Sequence, residues 1–257
     1  MTTLAHSLSD SATMLRRNLK HAQRYPSMTI STAVMPVLML LLFNYVFGGA
    51  LGAGTGSARY IDYIAPGIVL MAATSGAVAT AVGVCVDMTE GIVNRFRTMP
   101  ISRASFLTGH VVGGVIQTLI SVGLVLGVAV LVGFRPTATP LEWLAVAGLL
   151  TGLVLALTWL AAAMGLVAKT PETASNMPMP LTFLPLLGSA IVPPESMPTG
   201  LRWFAEYQPF TPLIETLRGL LMGTPIGNSG FIALAWCAGL ALVGYLWARS
   251  AFRRTGR

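Results

Sequence analysis

Side chains that could bind metal, act as nucleophiles or carry protons are few in this chain and far apart. The three histidines are His6, His21 and His110, and the two cysteines are Cys85 and Cys237. A metal site needs several such ligands together, and a serine nucleophile needs a base beside it. His110 has no ligand-type residue one helical turn away, so we expect it to lie at an interface or inside a helix bundle. The sequence predicts no catalytic residue, no metal site, no disulfide and no cofactor bound to this chain.

The two lysines exclude hydrolysis of nucleotide by a P-loop. The P-loop pattern is Gly-x-x-x-x-Gly-Lys-Ser/Thr, in which the lysine contacts the phosphates. Lys20 follows Leu19 and Lys169 follows Ala168, so neither lysine follows the glycine that the motif requires. This chain therefore does not hydrolyse ATP by that route.

Most of the sequence consists of long stretches without charged residues. These stretches must form the structural elements that position any functional residue. Hydrophobic residues make up 54% of the chain and charged residues 10%, against roughly 25% charged residues in a soluble domain. A transmembrane helix needs about 20 mostly apolar residues. Six stretches long enough contain no Asp, Glu, Lys or Arg: 25–58, 63–86, 104–134, 143–168, 173–194 and 219–248. We predict an all-α polytopic membrane protein of one domain, 1–257. Its six transmembrane helices lie near 29–49, 64–86, 107–132, 143–167, 176–192 and 229–249.

The absence of Asp, Glu, Lys and Arg from these stretches narrows the class of transporter. Charged side chains inside the membrane mark proton relays and ion-coupled transport. The absence of these four residue types argues against a proton-driven antiporter, an ion pump or a redox enzyme.

The distribution of basic residues predicts the orientation in the plasma (inner) membrane. An even number of spans leaves both termini on one side, and twelve of the sixteen lysines and arginines fall on that side. They are Arg16, Arg17, Lys20, Arg24, Arg95, Arg97, Arg103, Lys169, Arg249, Arg253, Arg254 and Arg257. The other side holds Arg59, Arg135, Arg202 and Arg218. The positive-inside rule therefore places both termini in the cytoplasm. The same bias explains the net charge of +7, and we expect no nucleic-acid partner.

Two cytoplasmic segments have amphipathic patterns. Residues 8–25 place leucine and alanine at helical spacing with basic residues on other faces. This predicts an interfacial helix on the anionic inner surface, and a solvated basic tail is the alternative. In loop 87–103, an apolar stripe that includes Ile92 and Phe96 predicts a short helix. That helix either packs against its own spans or lipid, or presents a surface to a soluble partner.

The predicted outer segment 193–228 contains two helices too short to span a membrane. Trp203, Phe204, Tyr207 and Phe210 fall within eight residues. In the second helix Thr211 is the predicted N-cap, Pro212 the first helical residue and Gly223 the stop, with Glu215 and Arg218 on the polar face. We predict two re-entrant helices that dip into the outer leaflet, with the aromatic residues also serving as interfacial anchors.

Two stretches of the sequence have distinctive patterns. The first, within 87–107, reads Glu-Gly-Ile-x-x-Arg-Phe-Arg-x-Met-Pro-Ile-Ser-Arg. The second, within 188–223, reads Pro-x-x-Ser-Met-Pro, then Phe-Ala-Glu-Tyr-Gln-Pro-Phe-Thr-Pro, then Glu-Thr-Leu-Arg-Gly-Leu-Leu. With these patterns the chain resembles the membrane subunits of ATP-binding-cassette type-2 exporters. More narrowly, it resembles the daunorubicin/doxorubicin-resistance type of permease from actinobacteria, and the likeness in topology covers nearly the whole chain.

The resemblance implies export driven by ATP. Wide apolar spans without charges suit an amphipathic or lipid-like substrate, either a drug or a complex lipid. Related permeases also export polysaccharides, and the sequence does not separate these substrates.

The resemblance implies two copies of a separate P-loop ATPase that binds ATP and Mg²⁺. It also implies a second permease copy, as a homodimer or as a heterodimer with a sister permease, with membrane lipid around both. Loop 87–103 would be the coupling element, and the outer helices would help to close the exit. The residues facing the ATPase would be Glu90, Arg95, Arg97 and Arg103, while Ile92 and Phe96 would pack against the permease itself.

Two other classes of protein stay open from the sequence alone. The first is an ATP-independent transporter or channel, which would carry substrate without a P-loop partner. The second is a membrane enzyme that acts on lipid, which would need a polar or metal-binding cluster that the sequence does not reveal.

Overall fold

The computed structural model describes residues 26–52, 59–89 and 103–254. Across these residues the chain forms helices joined by turns, with no β-strand, which confirms the all-α class. Helix α1 is an α-helix over Pro26–Leu41 that continues through a π-helical turn, Leu42–Phe47, into Gly48–Leu51. The other helices are α2 (Tyr60–Thr89), α3 (Arg103–Val132), α4 (Pro140–Val167), α5 (Pro171–Asn176), α6 (Met179–Phe183), α7 (Thr199–Tyr207), α8 (Phe210–Met222) and α9 (Ser229–Arg254). Short 3₁₀ turns occupy Leu184–Leu187 and Pro194–Ser196.

Within the described ranges, five helices are long and apolar enough to cross a membrane. They are α1, from Thr32 onward, α2, α3, α4 and α9. These agree with five of the six predicted spans.

The prediction of one continuous helix near 176–192 is wrong. There the chain forms α5, α6, the 3₁₀ turn Leu184–Leu187 and then an irregular turn. Three prolines explain the interruption, because proline lacks the backbone N–H of the helical ladder and its ring displaces the preceding turn. They are Pro178, Pro180 and Pro185. We call residues 171–187 the broken segment.

Helix α2 is the centre of the bundle and the most buried of the five long helices. It packs against α1, α3, α4, the broken segment and α8. Ile64, Ile68 and Leu70 on α2 are fully buried, as are Leu153 and Leu157 on α4. Helices α1 and α9 lie at the periphery and keep long apolar side chains exposed, as expected of helices that face lipid.

Helix α4 begins three residues before the predicted start because a capping box fixes its first turn. The backbone N–H of Thr139 donates to Oε2 of Glu142 at 2.6 Å, and the N–H of Glu142 donates to Oγ1 of Thr139 at 3.4 Å. Pro140 occupies the first turn, where its missing N–H removes no hydrogen bond. This signal can be found in the sequence.

Helices α4 and α9 approach closely at Gly244. A Cβ on Gly244 would lie 2.7 Å from the backbone nitrogen of Leu160, so only glycine allows this approach. The ring of Tyr245 meets the ring of Trp159 edge-on, with centroids 5.1 Å apart. The contact therefore depends on a small residue followed by an aromatic one.

We expect Gly244→Ala to destabilise the protein by about 1–3 kcal/mol, because the methyl group would push α9 away from α4. Gly239→Ala is the matched control on the same helix, since no atom lies within 4 Å of its added Cβ. Thermal unfolding of the two variants in one detergent measures the difference. Equal melting temperatures would show that α4 and α9 do not meet at Gly244.

Candidate functional site

At the predicted outer end, Asp62 ties the first turn of α2 to the turn that follows α3. Its carboxylate is buried and accepts hydrogen bonds from Nε of Arg59 at 3.0 Å and from Nη2 of Arg59 at 3.3 Å. The backbone N–H of Arg135 donates to the same carboxylate at 3.3 Å. Nη1 of Arg59 also donates to the carbonyl of Gly133 at 2.9 Å. These bonds connect the outer ends of α2 and α3.

An irregular turn of the backbone, residues 188–191, is packed against this end of α2. We call it the buried turn. A Cβ on Gly67 of α2 would lie 2.6 Å from Cα of Ala190, so the two backbones are in direct contact. The hydroxyl of Tyr60 donates to the carbonyl of Ile191 at 3.0 Å. A non-helical segment can lie this deep only if its backbone polar groups find partners inside the protein.

Arg218 of α8 supplies another of those partners. Its Nη2 donates to the carbonyl of Ser189 at 2.6 Å, and its Nε donates to the carbonyl of Tyr63 at 3.2 Å. The guanidinium carbon lies 3.8 Å from the centre of the Tyr63 ring, which is the geometry of a cation–π contact. Burial lowers the pKa of Arg218, but an arginine remains charged at neutral pH. Arg218 therefore joins α8, α2 and the buried turn.

The predicted outer residues divide into an exposed group and a buried group. Trp203, Phe204 and Tyr207 on α7 are exposed, and the rings of Trp203 and Tyr207 lie 5.3 Å apart. Phe210, at the start of α8, is fully buried. Glu215 accepts a hydrogen bond from the hydroxyl of Ser229 at 3.1 Å, which links α8 to α9.

Helix α8 begins at Phe210. The predictions that Thr211 is the N-cap and that Pro212 is the first helical residue are therefore wrong. The residue before a proline is pushed toward extended backbone, and Gln208 is extended, with ψ 155°. Helix α7 therefore ends there, and α8 starts with Pro209 at the N-cap position. The predicted stop is confirmed, because Gly223 adopts a left-handed conformation with φ 67°.

Three buried polar residues lie where α7, α8 and the buried turn join. They are Ser189, Gln208 and Thr211, each at most 4% exposed. Their side-chain atoms have no hydrogen-bond partner in the part of the chain that the structure describes. We call these three residues with Gly188 the polar junction.

At the predicted inner end, α2 and α3 are joined by Asp87 and His110. Nε2 of His110 lies 3.0 Å from Oδ2 of Asp87, and both side chains are largely buried. The imidazole N–H donates to the carboxylate in this arrangement. Gly83, one turn before Asp87, lies beside the ring, and a Cβ there would be 3.9 Å from Nδ1 of His110.

Most of the predicted coupling residues lie outside the described residues. These are Glu90, Ile92, Arg95, Phe96 and Arg97, and the predicted interfacial helix 8–25 also lies outside them. Arg103 is described only as the first residue of α3.

Comparison with known proteins identifies the family. The family described as ABC-2 type transporter matches residues 11–222, which is most of the chain. The chain belongs to the ABC-2 type transporter family. It is thus the permease of an ABC exporter. The permease is a transport subunit, and the ATPase activity resides in a partner subunit.

Two relatives of the permease have names that refer to drug resistance. It is 29% identical, over 93% of its own chain and 83% of the relative, to the daunorubicin resistance ABC transporter permease protein DrrB1 of Streptomyces coeruleorubidus. It is 26% identical, over 83% of its own chain and 77% of the relative, to the probable doxorubicin resistance ABC transporter permease protein DrrC of Mycobacterium tuberculosis strain H37Rv.

Three features of the permease are not among those predicted from the sequence: the Arg59–Asp62 pair, the Asp87–His110 pair and the polar junction. The Arg59–Asp62 pair had a usable signal, because opposite charges three residues apart are close in space where a helix begins. The Asp87–His110 pair joins different helices, so no local spacing indicates it. The polar junction also depends on tertiary packing, since Gly188 and Gln208 are distant in sequence.

We expect Asp87 and His110 to be energetically coupled. In a double-mutant cycle with Asp87→Ala and His110→Ala, the coupling should be about 0.5–3 kcal/mol, because each single variant removes the hydrogen bond between these two side chains. Thermal unfolding of the two single variants and the double variant gives this value. Additive losses would show that the two side chains do not act together.

Proposed function

We propose that the permease carries an amphipathic or lipid-like molecule, such as a drug or a complex lipid, outward through the membrane. The observation that carries this proposal is the apolar interior of the helix bundle around α2. The buried groups there are mostly aliphatic, with uncharged residues such as Thr74 and Thr158 among them. An interior of this kind suits a cargo with large apolar parts and few charges. The names of the drug-resistance relatives agree with this class.

In the proposed topology one transmembrane domain makes six crossings, and both termini lie in the cytoplasm. The broken segment crosses the membrane as the fifth span, and its interruptions pack against α2 and α8. Helices α7 and α8 are re-entrant helices at the outer surface that help to close the exit. Support comes from α7, which exposes Trp203 and Tyr207 as interfacial anchors would, and from α8, whose apolar stripe is buried.

Segment 87–103 is the proposed coupling element. It leaves α2 and enters α3, and the Asp87–His110 hydrogen bond holds these two helices together beside it. Because the segment is joined to both α2 and α3, a movement of the ATPase that displaces the segment would also displace these two helices. Glu90, Arg95, Arg97 and Arg103 would contact the ATPase, with Ile92 and Phe96 facing the permease.

The proposed complex contains two ATPase subunits, which bind ATP and Mg²⁺, and two permease subunits. The second permease is either an identical copy or a sister permease. The exposed apolar faces of α1 and α9 suit contact with that second copy or with lipid.

Reconstitution tests this function. The permease and its ATPase are placed in proteoliposomes, and ATP-dependent movement of daunorubicin and of a fluorescent phospholipid is followed by fluorescence. We expect movement of at least one probe that stops with vanadate and does not occur without the ATPase. Movement without the ATPase, or of neither probe, would contradict the proposal.

A further inference from the structure

The polar junction contains more unpaired hydrogen-bonding atoms than a buried site ordinarily keeps. Within the described residues, both polar atoms of the Gln208 amide and the hydroxyls of Ser189 and Thr211 have no partner. Ser189 is 1% exposed, Thr211 3% and Gln208 4%. Buried polar groups are nearly always hydrogen-bonded, and leaving one unpaired is costly. Several such groups together indicate that something other than the described chain satisfies them.

The side chains of Gln208 and Thr211 lie against the backbone of Gly188. A Cβ there would lie 2.7 Å from Oγ1 of Thr211 and would also collide with Nε2 of Gln208. Both side chains are therefore directed at the same point on the backbone, and neither is bonded to the other. A side chain at position 188 would fill the place where they converge.

The chemistry of the site selects an uncharged partner. The Gln208 amide supplies two donors and an acceptor, and each hydroxyl can both donate and accept. None of these groups carries a charge. The nearby guanidinium of Arg218 is already engaged with the carbonyls of Tyr63 and Ser189. Such a set matches a hydroxyl or carbonyl group rather than a carboxylate or an ammonium group.

The place of the site in the fold suits a transported molecule. It lies directly after the broken segment, where the buried turn meets the predicted outer helices. In transporters, interrupted helices and irregular backbone line the binding site or a water-filled cavity.

We infer that the polar junction binds a hydroxyl or carbonyl group of the transported molecule during its passage. This inference rests on the proposed function and specifies part of its substrate: an amphipathic molecule with an uncharged oxygen group.

The test compares Thr211→Val, which removes the hydroxyl but keeps the shape, with Thr211→Ser, which keeps the hydroxyl. Each full-length variant is reconstituted with its ATPase, and the KM for export is measured with whichever of daunorubicin or the fluorescent phospholipid the unaltered complex moves. We expect Thr211→Val to raise KM roughly three- to tenfold, because one hydrogen bond to the substrate is lost, and Thr211→Ser to restore it. Gln208→Met, tested in the same way, should also raise KM.

Thr151→Val is the matched control. Thr151 is exposed on α4 and its hydroxyl donates to Ala147 of its own helix at 2.7 Å, so KM should not change. A KM unchanged in both Thr211→Val and Gln208→Met would overturn the inference and leave the junction as a site for bound water. Failure of the unaltered complex to export either probe is a different result, because it contradicts the proposed function itself.

Discussion

Arg97→Ala and Glu90→Ala are each expected to reduce ATP-driven export about tenfold or more, while the permease still inserts into the membrane. The reason is that these charges are proposed to contact the ATPase, and removing one partner of a charged contact leaves the other unpaired. Export rate per complex, measured in proteoliposomes, is the readout. ATPase activity measured in parallel separates loss of coupling from loss of the ATPase.

Arg202→Ala is the control for this experiment. Arg202 lies on the predicted outer side in an exposed pair with Glu206, so its removal should leave export unchanged. Normal export by both Arg97→Ala and Glu90→Ala, with the ATPase still associated, would show that these residues do not take part in coupling.

Arg218→Ala is expected to destabilise the permease by roughly 2–4 kcal/mol. The substitution removes hydrogen bonds from a charged donor to two backbone carbonyls, of Tyr63 and Ser189, and removes the cation–π contact with Tyr63. The carbonyl of Ser189 would then lack its donor inside the protein. The melting temperature in detergent measures the loss, and export should fall with it because the buried turn loosens.

Arg202 and Arg218 form a natural pair for comparison, since both belong to the predicted outer segment. The hydrogen bond that Arg202 donates to Glu206 raises the pKa of Arg202, but the pair is exposed and no measurable loss of stability is expected. Arg218→Lys should recover only part of the stability, because a single ammonium group cannot reproduce the planar fork of a guanidinium. Equal melting temperatures for Arg218→Ala and Arg202→Ala would contradict the role assigned to Arg218.

The long helices could be predicted because their signal is local. A run of apolar residues as long as Leu107–Val132 specifies a membrane helix wherever it occurs, and the structure contains it. The leucine stripe of α8 was equally readable, and Leu213, Ile214 and Leu217 are fully buried. In both cases the residues that determine the element are those that form it.

The broken segment shows where counting apolar residues fails. Residues 173–194 contain no charge, so they meet the same criterion as the true helices. The criterion ignores backbone chemistry, and the prolines at 178, 180 and 185 remove donors that a continuous helix needs. Weighing those prolines more heavily would have predicted the interruption.

The contacts of the candidate site could not be read from the sequence, because their partners come together only through packing. Arg218 donates to carbonyls on α2 and on the buried turn, and any residue type offers a carbonyl. Likewise, nothing near Gln208 in the sequence indicates that its amide lies against Gly188.

Photo-crosslinking from the 87–103 segment tests most directly the central claim that this segment couples the permease to its ATPase. A photoreactive phenylalanine analogue replaces Arg97 in one variant and Tyr207, on the predicted outer side, in another. Each is irradiated in native membranes that contain the whole complex. A crosslink to the ATPase from position 97 and none from position 207 is the predicted result. A complex that still co-purifies but crosslinks to the ATPase only from position 207, or from neither position, would contradict the claim.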